Sequence, residues 1–322
     1  MTAAGDWPAL VLTAGLGTRL QPLSSARAKA ALPVGGDVLI RRILRWLRRA
    51  GVTRVVVNLH HRPETITRRL GDGRDLDVEV RYSWEDPVLG SAGGPRRALP
   101  LLDADRFFIV NGDTLTDVDI GAVRLAHEQS GALVTMAVVP GDTARYGGVL
   151  VRGNGHVTGF SWGNSRSPLL STTAPAAPVA PVSYHFIGVQ VVDARAFAEV
   201  PDGERSETVG SLYPRLIAKA VGSVRAYVSD AEFLDIGTPA DYFSTVTTIA
   251  KREGRALDIG VGAIIDPAAR VTHSILWDRV HVQAGASVVN CVLADDVVIP
   301  EGARFARQAI ALVDGKLRTA PF

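Results

Sequence analysis

Residues 10–23 read LVLTAGLGTRLQPL. An apolar run, Leu10 to Leu12, gives way to Gly15 and Gly17, and a cation, Arg19, follows at once. A buried strand that breaks into glycines suits an anion, because glycines let successive backbone N–H groups turn inward on a phosphate. The spacing Gly15-x-Gly17-Thr18-Arg19 matches neither the dinucleotide fingerprint nor a P-loop, since no Gly-Lys-Ser/Thr follows. A turn of this kind also serves as a plain strand-to-helix corner. The surrounding sequence has to decide between the two.

Working outward, apolar runs alternate with helical patterns over residues 9–160. ALVLTAG reads as a strand, and VLIRRILRWLRRAG places Leu39, Ile43, Leu44 and Leu47 on one helical face that Gly51 closes. VTRVVVNLH is a strand and PETITRRLGDG a helix with Pro63 near its start. VEVRYSWE, RFFIVNGD and ALVTMAVV read as further strands, with VRLAHEQSGA a helix between the last two. Such alternation predicts an α/β fold: a Rossmann-like, mostly parallel sheet flanked by helices. Ligands of these sheets sit beyond the carboxyl ends of strands, where both the Gly15 loop and the Asn111-Gly112-Asp113 turn fall. Residues 164–182, rich in Ser, Pro, Ala and Thr, read as an exposed loop. SYHFIGVQVVD then resumes as a strand and SLYPRLIAKAVG as a helix.

The last sixty or so residues change character. Ile259, Ile265 and Val271 lie six apart, as do Val282 and Val288, and Leu293 and Ile299, with small residues, Gly and Pro between them. This is the pattern of a short C-terminal left-handed parallel β-helix, each repeat burying one aliphatic side chain. The period slips between Ser274 and His281, where SILWDR reads as an inserted or distorted turn. The predicted boundaries are 1–254 for the sheet domain and 255–322 for the β-helix.

Composition narrows the rest. The chain has 322 residues, 47% hydrophobic and 21% charged, with a net charge of +2, so the basic excess of a nucleic-acid binder is absent. A single cysteine, Cys291, excludes an intrachain disulfide and fits a reducing compartment. The first residues carry neither a charged n-region nor an apolar h-region, and no window reaches ~18 apolar residues. The expectation is a cytoplasmic protein with neither membrane nor nucleic acid as partner.

The longer stretch LVLTAGLGTRLQPLSSARAKAALPVGG resembles the signature of the nucleotide-sugar pyrophosphorylases, the sugar-1-phosphate nucleotidyltransferases: apolar-x-A-G-x-G-T-R-L-x-P-L, a lysine, then L-P-V. VVNLHHRPETI, LGSAGG, FIVNGDTL, RYGGV and FLDIGTPADY continue the resemblance into the β-helix. It is nearest to mannose-1-phosphate guanylyltransferase-like members with a hexapeptide tail. The family reaction joins a nucleoside triphosphate and a sugar 1-phosphate to give NDP-sugar and pyrophosphate. Two polyanions meet, so positioning and charge neutralisation carry the catalysis.

The resemblance implies roles at positions that match its motifs. Arg19 would grip the β- and γ-phosphates with its planar fork, and Lys29 would stabilise charge near the α-phosphate. Leu12, Ala14, Gly15, Gly17, Thr18, Gly90, Ser91, Gly93 and Asn111 would complete the nucleotide site. Asp113 and Asp235, each in a family motif after an apolar strand, would hold Mg²⁺. Tyr146, Gly147 and Gly188 would line the acceptor pocket. Ala28 stands where many members have Pro, a change that only affects loop stiffness.

Specificity is less regular. Gly93 replaces the Gln or His of thymidylyl and uridylyl enzymes and would leave room for a larger base, which favours GTP over UTP, dTTP or CTP. Ser161, Trp162 and Gly163 stand where Glu-Lys-Pro is usual, and Phe186-Ile187-Gly188 replaces Asn-Thr-Gly. Trp162 would then line the acceptor pocket, and the sugar phosphate would need another cation, Arg166 or Lys219. The losses point to an unusual acceptor: a heptose, an acidic amino sugar or a cyclitol 1-phosphate. Asn58, His60 and His61 read as structural, because their spacing suits no zinc site. His273 and His281 lie on the type of scaffold where acyltransferases carry a histidine base, but so short a β-helix has too few coils for an acyl-donor site. A catalytically silent subunit is the competing class, opposed by the retention of Arg19, Lys29, Asp113 and Asp235. A homo-oligomer through the β-helix is expected, on an exposed face carrying Ile275, Leu276 and Trp277.

Overall fold

The computed structural model describes residues 7–161, 169–170 and 180–322. Trp162, Gly163, Arg166 and most of the loop expected over 164–182 lie outside them. The chain divides into two compact units, Met1–Ala14 with Leu44–His60 and Gly71–Phe233, and Gly15–Ile43 with His61–Leu70 and Leu234–Phe322.

The first unit is a sheet with helices. Its strands are β1 (Ala9–Leu12), β2 (Arg54–Leu59), β3 (Glu79–Trp84), β4 (Arg106–Asn111), β5 (Val134–Val139), β6 (Gly148–Val151), β7 (Val157–Ser161), β8 (Val182–Asp193) and β9 (Val224–Val228). β1 pairs in parallel with β2 on one side and β4 on the other, and β3 extends the parallel run beyond β2. β8 joins antiparallel to β4, β5 and β6, while β9 lies parallel to β5. The sheet is therefore mostly parallel around β1, as the alternation predicts. Its inner strands are near-continuous apolar runs because helices cover both faces. Leu10, Val56, Phe107 and Ile109 share one buried cluster with Phe197 and Tyr213.

The longer helices among the described residues are α1 (Leu39–Arg49), α2 (Pro63–Leu70), α3 (Gly90–Leu102), α4 (Ile120–Ser130), α5 (Tyr213–Lys219) and α6 (Pro239–Arg252). The predicted face of α1, Leu39, Ile43, Leu44 and Leu47, is buried. Asp119 caps α4 by accepting from the N–H groups of Gly121 and Ala122. The sequence reading missed α3, whose GSAGGPRRALPLL carries two prolines and three glycines. Propensity argues against a helix there. Burial of Ala92, Gly93, Gly94, Pro95, Ala98 and Leu102 against β1, β2 and β3 overrides it. Among the described residues, no helix is long and apolar enough to cross a membrane.

The second unit holds the signature loop, α2, α6 and the C-terminal coils. Short strands β10 (Ile264–Ile265), β11 (Arg270–Thr272), β12 (Ile275–Leu276), β13 (His281–Val282), β14 (Ser287–Val289), β15 (Val292–Leu293), β16 (Val298–Ile299), β17 (Arg304–Ala306) and β18 (Gln308–Val313) stack in three parallel columns. β19 (Lys316–Pro321) closes the last column antiparallel to β18. This is the expected β-helix, filled by Leu276, Val282, Val288, Leu293, Ile299 and Ile310.

Two expectations about it need correction. The slip at SILWDR is no insertion, because stacked partners stand 17 residues apart throughout. Two sides of each coil repeat after six residues and the third after five, from Val271 to Leu276, Val288 to Leu293 and Phe305 to Ile310. The short corner carries His273, Asn290 and Arg307, all with φ near +50°. Secondly, Ile275, Leu276 and Trp277 form no exposed face; they are 0%, 1% and 0% exposed. Leu276 points into the β-helix core, and Trp277 packs on α6, its Nε1 donating to the Tyr242 hydroxyl at 3.0 Å.

Candidate functional site

In the first unit the carboxyl edge of the sheet gathers polar groups. Leu12, half-buried, stands in register with Asn58 on β2 and Asn111 on β4. The Thr13 N–H donates to Asn58 Oδ1 at 2.6 Å, and Asn58 Nδ2 donates to Glu85 Oε1 at 2.7 Å. Glu85 in turn accepts from the Leu89 N–H at 2.8 Å, and its carbonyl from His60 Nδ1 at 2.9 Å. Asn58 and His60 are thus both held by hydrogen bonds within the protein. Glu85 is the residue the sequence reading missed: a 3% exposed carboxylate that ties the end of β2 to the start of α3. Its only signal was a charge just after a strand, Glu79–Trp84, that already carries charges at alternate positions.

The N-terminal turn of α3 carries the predicted Gly90, Ser91 and Gly93. Ser91 Oγ donates to Glu207 at 2.7 Å and accepts from the Thr208 N–H at 2.9 Å. Gly90 has φ +78°, and a Cβ on it would meet Glu207 and the Ser206 carbonyl at 2.7 Å. The Ala92 and Gly93 N–H groups both donate to the Ser206 carbonyl. A Cβ on Gly93 would lie 2.4 Å from the Glu204 carbonyl and 3.0 Å from Leu89 Cβ. This corrects the reason given for Gly93: the space its missing side chain leaves is taken by the protein's own backbone. Packing requires the glycine whichever base is bound.

Asn111 ends β4, and Gly112 follows with its N–H donating to the Leu12 carbonyl at 2.9 Å. A Cβ on Gly112 would strike Thr13 and the Leu12 carbonyl, so glycine is what lets the β4 end close on the β1 end. Asp113 comes next and is half-buried. Gly188, at φ +79° where the β8 register shifts, faces the Asn111 side chain at 2.8–2.9 Å from where its Cβ would be. Asn111 and Gly188, predicted for nucleotide and acceptor, are therefore neighbours.

On the acceptor side Tyr146 ends a single helical turn, and Gly147 follows with φ +82°. The Tyr146 ring lies 4.7 Å from His185 and 5.5 Å from Phe233, centroid to centroid, and His185 lies 4.4 Å from Phe233. His185 is 7% exposed, and neither ring nitrogen has a hydrogen-bond partner among the described residues. Burial lowers its pKa, which keeps the imidazole neutral. The Ser183 hydroxyl is likewise buried without a partner among them, beside Gly148 and Ser161. Sequence reading did not single out Ser183 or His185, because a lone serine or histidine inside an apolar strand carries no motif. Lys219 lies at the end of α5 on the surface, paired with Glu199. Trp162 and Arg166 lie outside the described residues.

The second unit carries the loop. Ala14 is buried at the end of the first unit's segment; Gly15, Leu16, Thr18 and Arg19 are exposed. Gly17 adopts φ +62° and would press a Cβ to 3.0 Å from Ser24, so the sharp turn there needs glycine. Gly15 has open space around it. Three single 3-10 turns follow, Thr18–Leu20, Leu23–Ser25 and Lys29–Ala31, and the half-buried Lys29 opens the last. Asp235 ends the strand Phe233–Asp235, its carbonyl accepting from Thr245 Oγ1 at 2.8 Å, just before Thr238 caps α6. A cleft of about 490 Å³ in this unit is lined by Arg27, Gly36, Arg69, Arg255, Asp258 and Asp278, and takes in none of the predicted site residues.

Among the described residues, no three His, Cys, Asp or Glu side chains converge as a metal cage. Asp113 in the first unit and Asp235 in the second are each half-buried carboxylates, and a carboxylate is the hard-oxygen donor that Mg²⁺ takes while keeping most of its coordination for water and substrate phosphates.

Comparison with known proteins agrees with this architecture. The Nucleotidyl transferase family pattern matches residues 8–252, and a GlmU-like, C-terminal hexapeptide pattern matches residues 242–318. The chain belongs to the nucleotidyl transferase family. Over 312 residues it is 26% identical to UTP–glucose-1-phosphate uridylyltransferase of Synechocystis sp., covering 90% of this chain and 76% of that one. It is 26% identical over 308 residues to mannose-1-phosphate guanylyltransferase of Mycobacterium tuberculosis, covering 87% and 82%. A shorter match, 43% over 115 residues, is to N-acetylmuramate alpha-1-phosphate uridylyltransferase of Neisseria meningitidis, covering 35% and 50%. In fold it is similar to HddC from Yersinia pseudotuberculosis, with a TM-score of 0.61 and 22% identity over 75% of this chain and 99% of that one.

Proposed function

We propose that the chain transfers a nucleoside monophosphate from a nucleoside triphosphate, GTP by preference, to a sugar 1-phosphate or sugar-like cyclitol 1-phosphate. The observation that carries this reading is the exposed Gly15–Arg19 turn directly after β1, the central parallel strand of the sheet. Residues 1–254 act as the catalytic part and 255–322 as the β-helix, through which copies of the chain assemble.

The acceptor phosphate is already anionic at neutral pH, so no general base is needed. Backbone N–H groups of the Gly15–Thr18 turn and the Arg19 guanidinium take the β- and γ-phosphates and hold the leaving pyrophosphate in line. Lys29 neutralises charge growing on the α-phosphate in the transition state. Asn111 with the α3 turn at Gly90, Ser91 and Gly93 borders the base. Tyr146, Gly147 and Gly188 border the acceptor, and Arg166 is the cation proposed for its phosphate; Lys219, paired with Glu199 at the opposite edge of the sheet, does not serve. Asp113 and Asp235 would hold Mg²⁺, which when bound supplies charge neutralisation between the phosphates. Relatives that span most of this chain are named for guanine in some cases and for uracil, at equal identity, in another, so the base is decided by the assay below.

The test is pyrophosphate release by the purified protein with Mg²⁺, crossing five nucleoside triphosphates with a panel of sugar and cyclitol 1-phosphates. Release with GTP and one acceptor is expected, with Asp113→Asn and Asp235→Asn each slowing it at least a hundredfold. Release with a pyrimidine nucleotide alone would overturn the base and keep the reaction. No release from any pair, with Asp113→Asn binding nucleotide as the wild type does, would overturn the reaction.

A further inference from the structure

The signature loop has little backbone structure of its own. Between Gly17 and Leu32 it consists of three separate 3-10 turns, none of them paired in a sheet. Its course is set by side-chain anchors. His61 Nε2 donates to the Ser24 carbonyl at 2.8 Å, and the Ala28 N–H donates to Thr65 Oγ1 of α2 at 3.0 Å.

The third anchor is Arg27, 6% exposed and two residues before Lys29. Its guanidinium reaches two aspartates on successive turns of the β-helix. Arg27 Nε and Nη2 donate to both Asp295 oxygens at 2.6 Å, and Nη2 also donates to Asp278 Oδ2 at 2.7 Å. Asp278 and Asp295 stand 17 residues apart, one above the other, and the Asp278 N–H donates to Asp295 Oδ1 at 3.1 Å. The guanidinium also lies 5.4 Å from the centre of the Trp277 ring. Trp277 donates to the Tyr242 hydroxyl, which donates to the Pro33 carbonyl at 2.7 Å, just beyond the loop. Arg69 of α2 shares Asp278 at 3.0 Å.

A fork held at both prongs has one permitted position, unlike a point charge on a flexible stem. Burial would lower the Arg27 pKa, but the two carboxylates outweigh it and raise it, so the cation is never given up. We infer that Arg27 is a positioning residue: clamped by Asp278 and Asp295, it fixes the loop on which Lys29 meets the α-phosphate, so the β-helix takes part in catalysis within its own chain. This rests on the reading of Lys29 given above.

The experiment is a double-mutant cycle on the full-length protein, with Arg27→Met, Lys29→Met and the pair, reading kcat, the KM of each substrate and Tm. Arg27→Met should lower kcat at least tenfold with the acceptor KM within twofold. In the Lys29→Met background the same change should cost less than threefold, because the group it positions is gone. Arg27→Lys, which keeps the charge but not the fork, should recover only part of the rate. An equal loss in both backgrounds, or a loss that follows Tm alone, would overturn the inference. Where Arg27→Met does not fold, Asp295→Asn takes its place, with a smaller loss of the same non-additive kind. Hydrogen exchange gives a readout independent of turnover: Asp295→Asn should speed exchange in residues 18–32 and leave residues 106–111 unchanged. Unchanged exchange there overturns the clamp. Lys29→Met at the wild-type rate overturns instead the role of Lys29, and the inference with it.

Discussion

Gly93→Ala separates packing from base recognition. The added methyl would start 2.4 Å from the Glu204 carbonyl oxygen and 3.0 Å from Leu89 Cβ. An ordinary contact needs about 1 Å more, so the 204–206 backbone has to move away. That backbone is held by three hydrogen bonds: Ser206 N–H to the Leu89 carbonyl at 2.9 Å, and Ala92 and Gly93 N–H to the Ser206 carbonyl at 2.8 and 3.2 Å. Losing one or two of them costs about 1–3 kcal/mol. The overpacking penalty for an added methyl falls in the same range. Alanine's better helix propensity returns up to about 1 kcal/mol. The net expectation is a loss of about 1–2 kcal/mol, seen as a Tm lower by roughly 1–3 °C in scanning calorimetry. The ratio of kcat/KM for GTP to that for UTP should stay within twofold. Unchanged stability with a shift of that ratio toward UTP would refute the reasoning and return Gly93 to the base pocket.

Three other outcomes follow from the same geometry. His127 is 2% exposed, and burial followed by the Arg106 charge lowers its pKa to about 4, so the unfolded chain takes up the proton first as pH falls. Stability that is whole above pH ~6.5 should drop by about 2 kcal/mol by pH 5, and His127→Gln should flatten that slope in denaturant titrations at the two pH values. At the short corner of the β-helix, Asn290→Val should cost about 1–3 kcal/mol because φ is +52°, whereas Asn290→Gly should lie within about 0.5 kcal/mol of wild type in chemical denaturation. Trp277→Phe removes a buried donor to Tyr242 and should lower stability by about 1–2 kcal/mol, with no change in sedimentation, since Trp277 faces α6 and not another molecule.

Much of this molecule is written locally. The alternation of Val- and Ile-rich runs with an amphipathic α1 fixes a mostly parallel sheet, because a strand covered on both faces has to be apolar throughout. The turn from β1 into Gly15 and Gly17 is legible because glycine takes φ +62° at the least cost. Asp113 and Asp235 could be singled out as carboxylates at the ends of apolar runs. The six-residue period was visible too, but one slip seen once looks like an insertion. Only stacking shows that the short side recurs in every coil, bringing His273, Asn290 and Arg307 to the same corner.

What tertiary structure decided are the features that depend on residues far apart in sequence. Helix α3 forms against its own composition because Gly93 and Gly94 let it approach Glu204 and Glu85 too closely for any side chain between them. Ile275, Leu276 and Trp277 looked like an interface, but all three are buried within the unit, Leu276 in the β-helix core and Trp277 against α6. Nothing near Arg27 in sequence says that Asp278 and Asp295 wait more than 250 residues on. Backbone conformation and strand burial are dictated by neighbours along the chain, so sequence carries them. The choice of partner for a buried charge is made by which distant side chains the fold brings within 3 Å, and the sequence alone does not contain that distance.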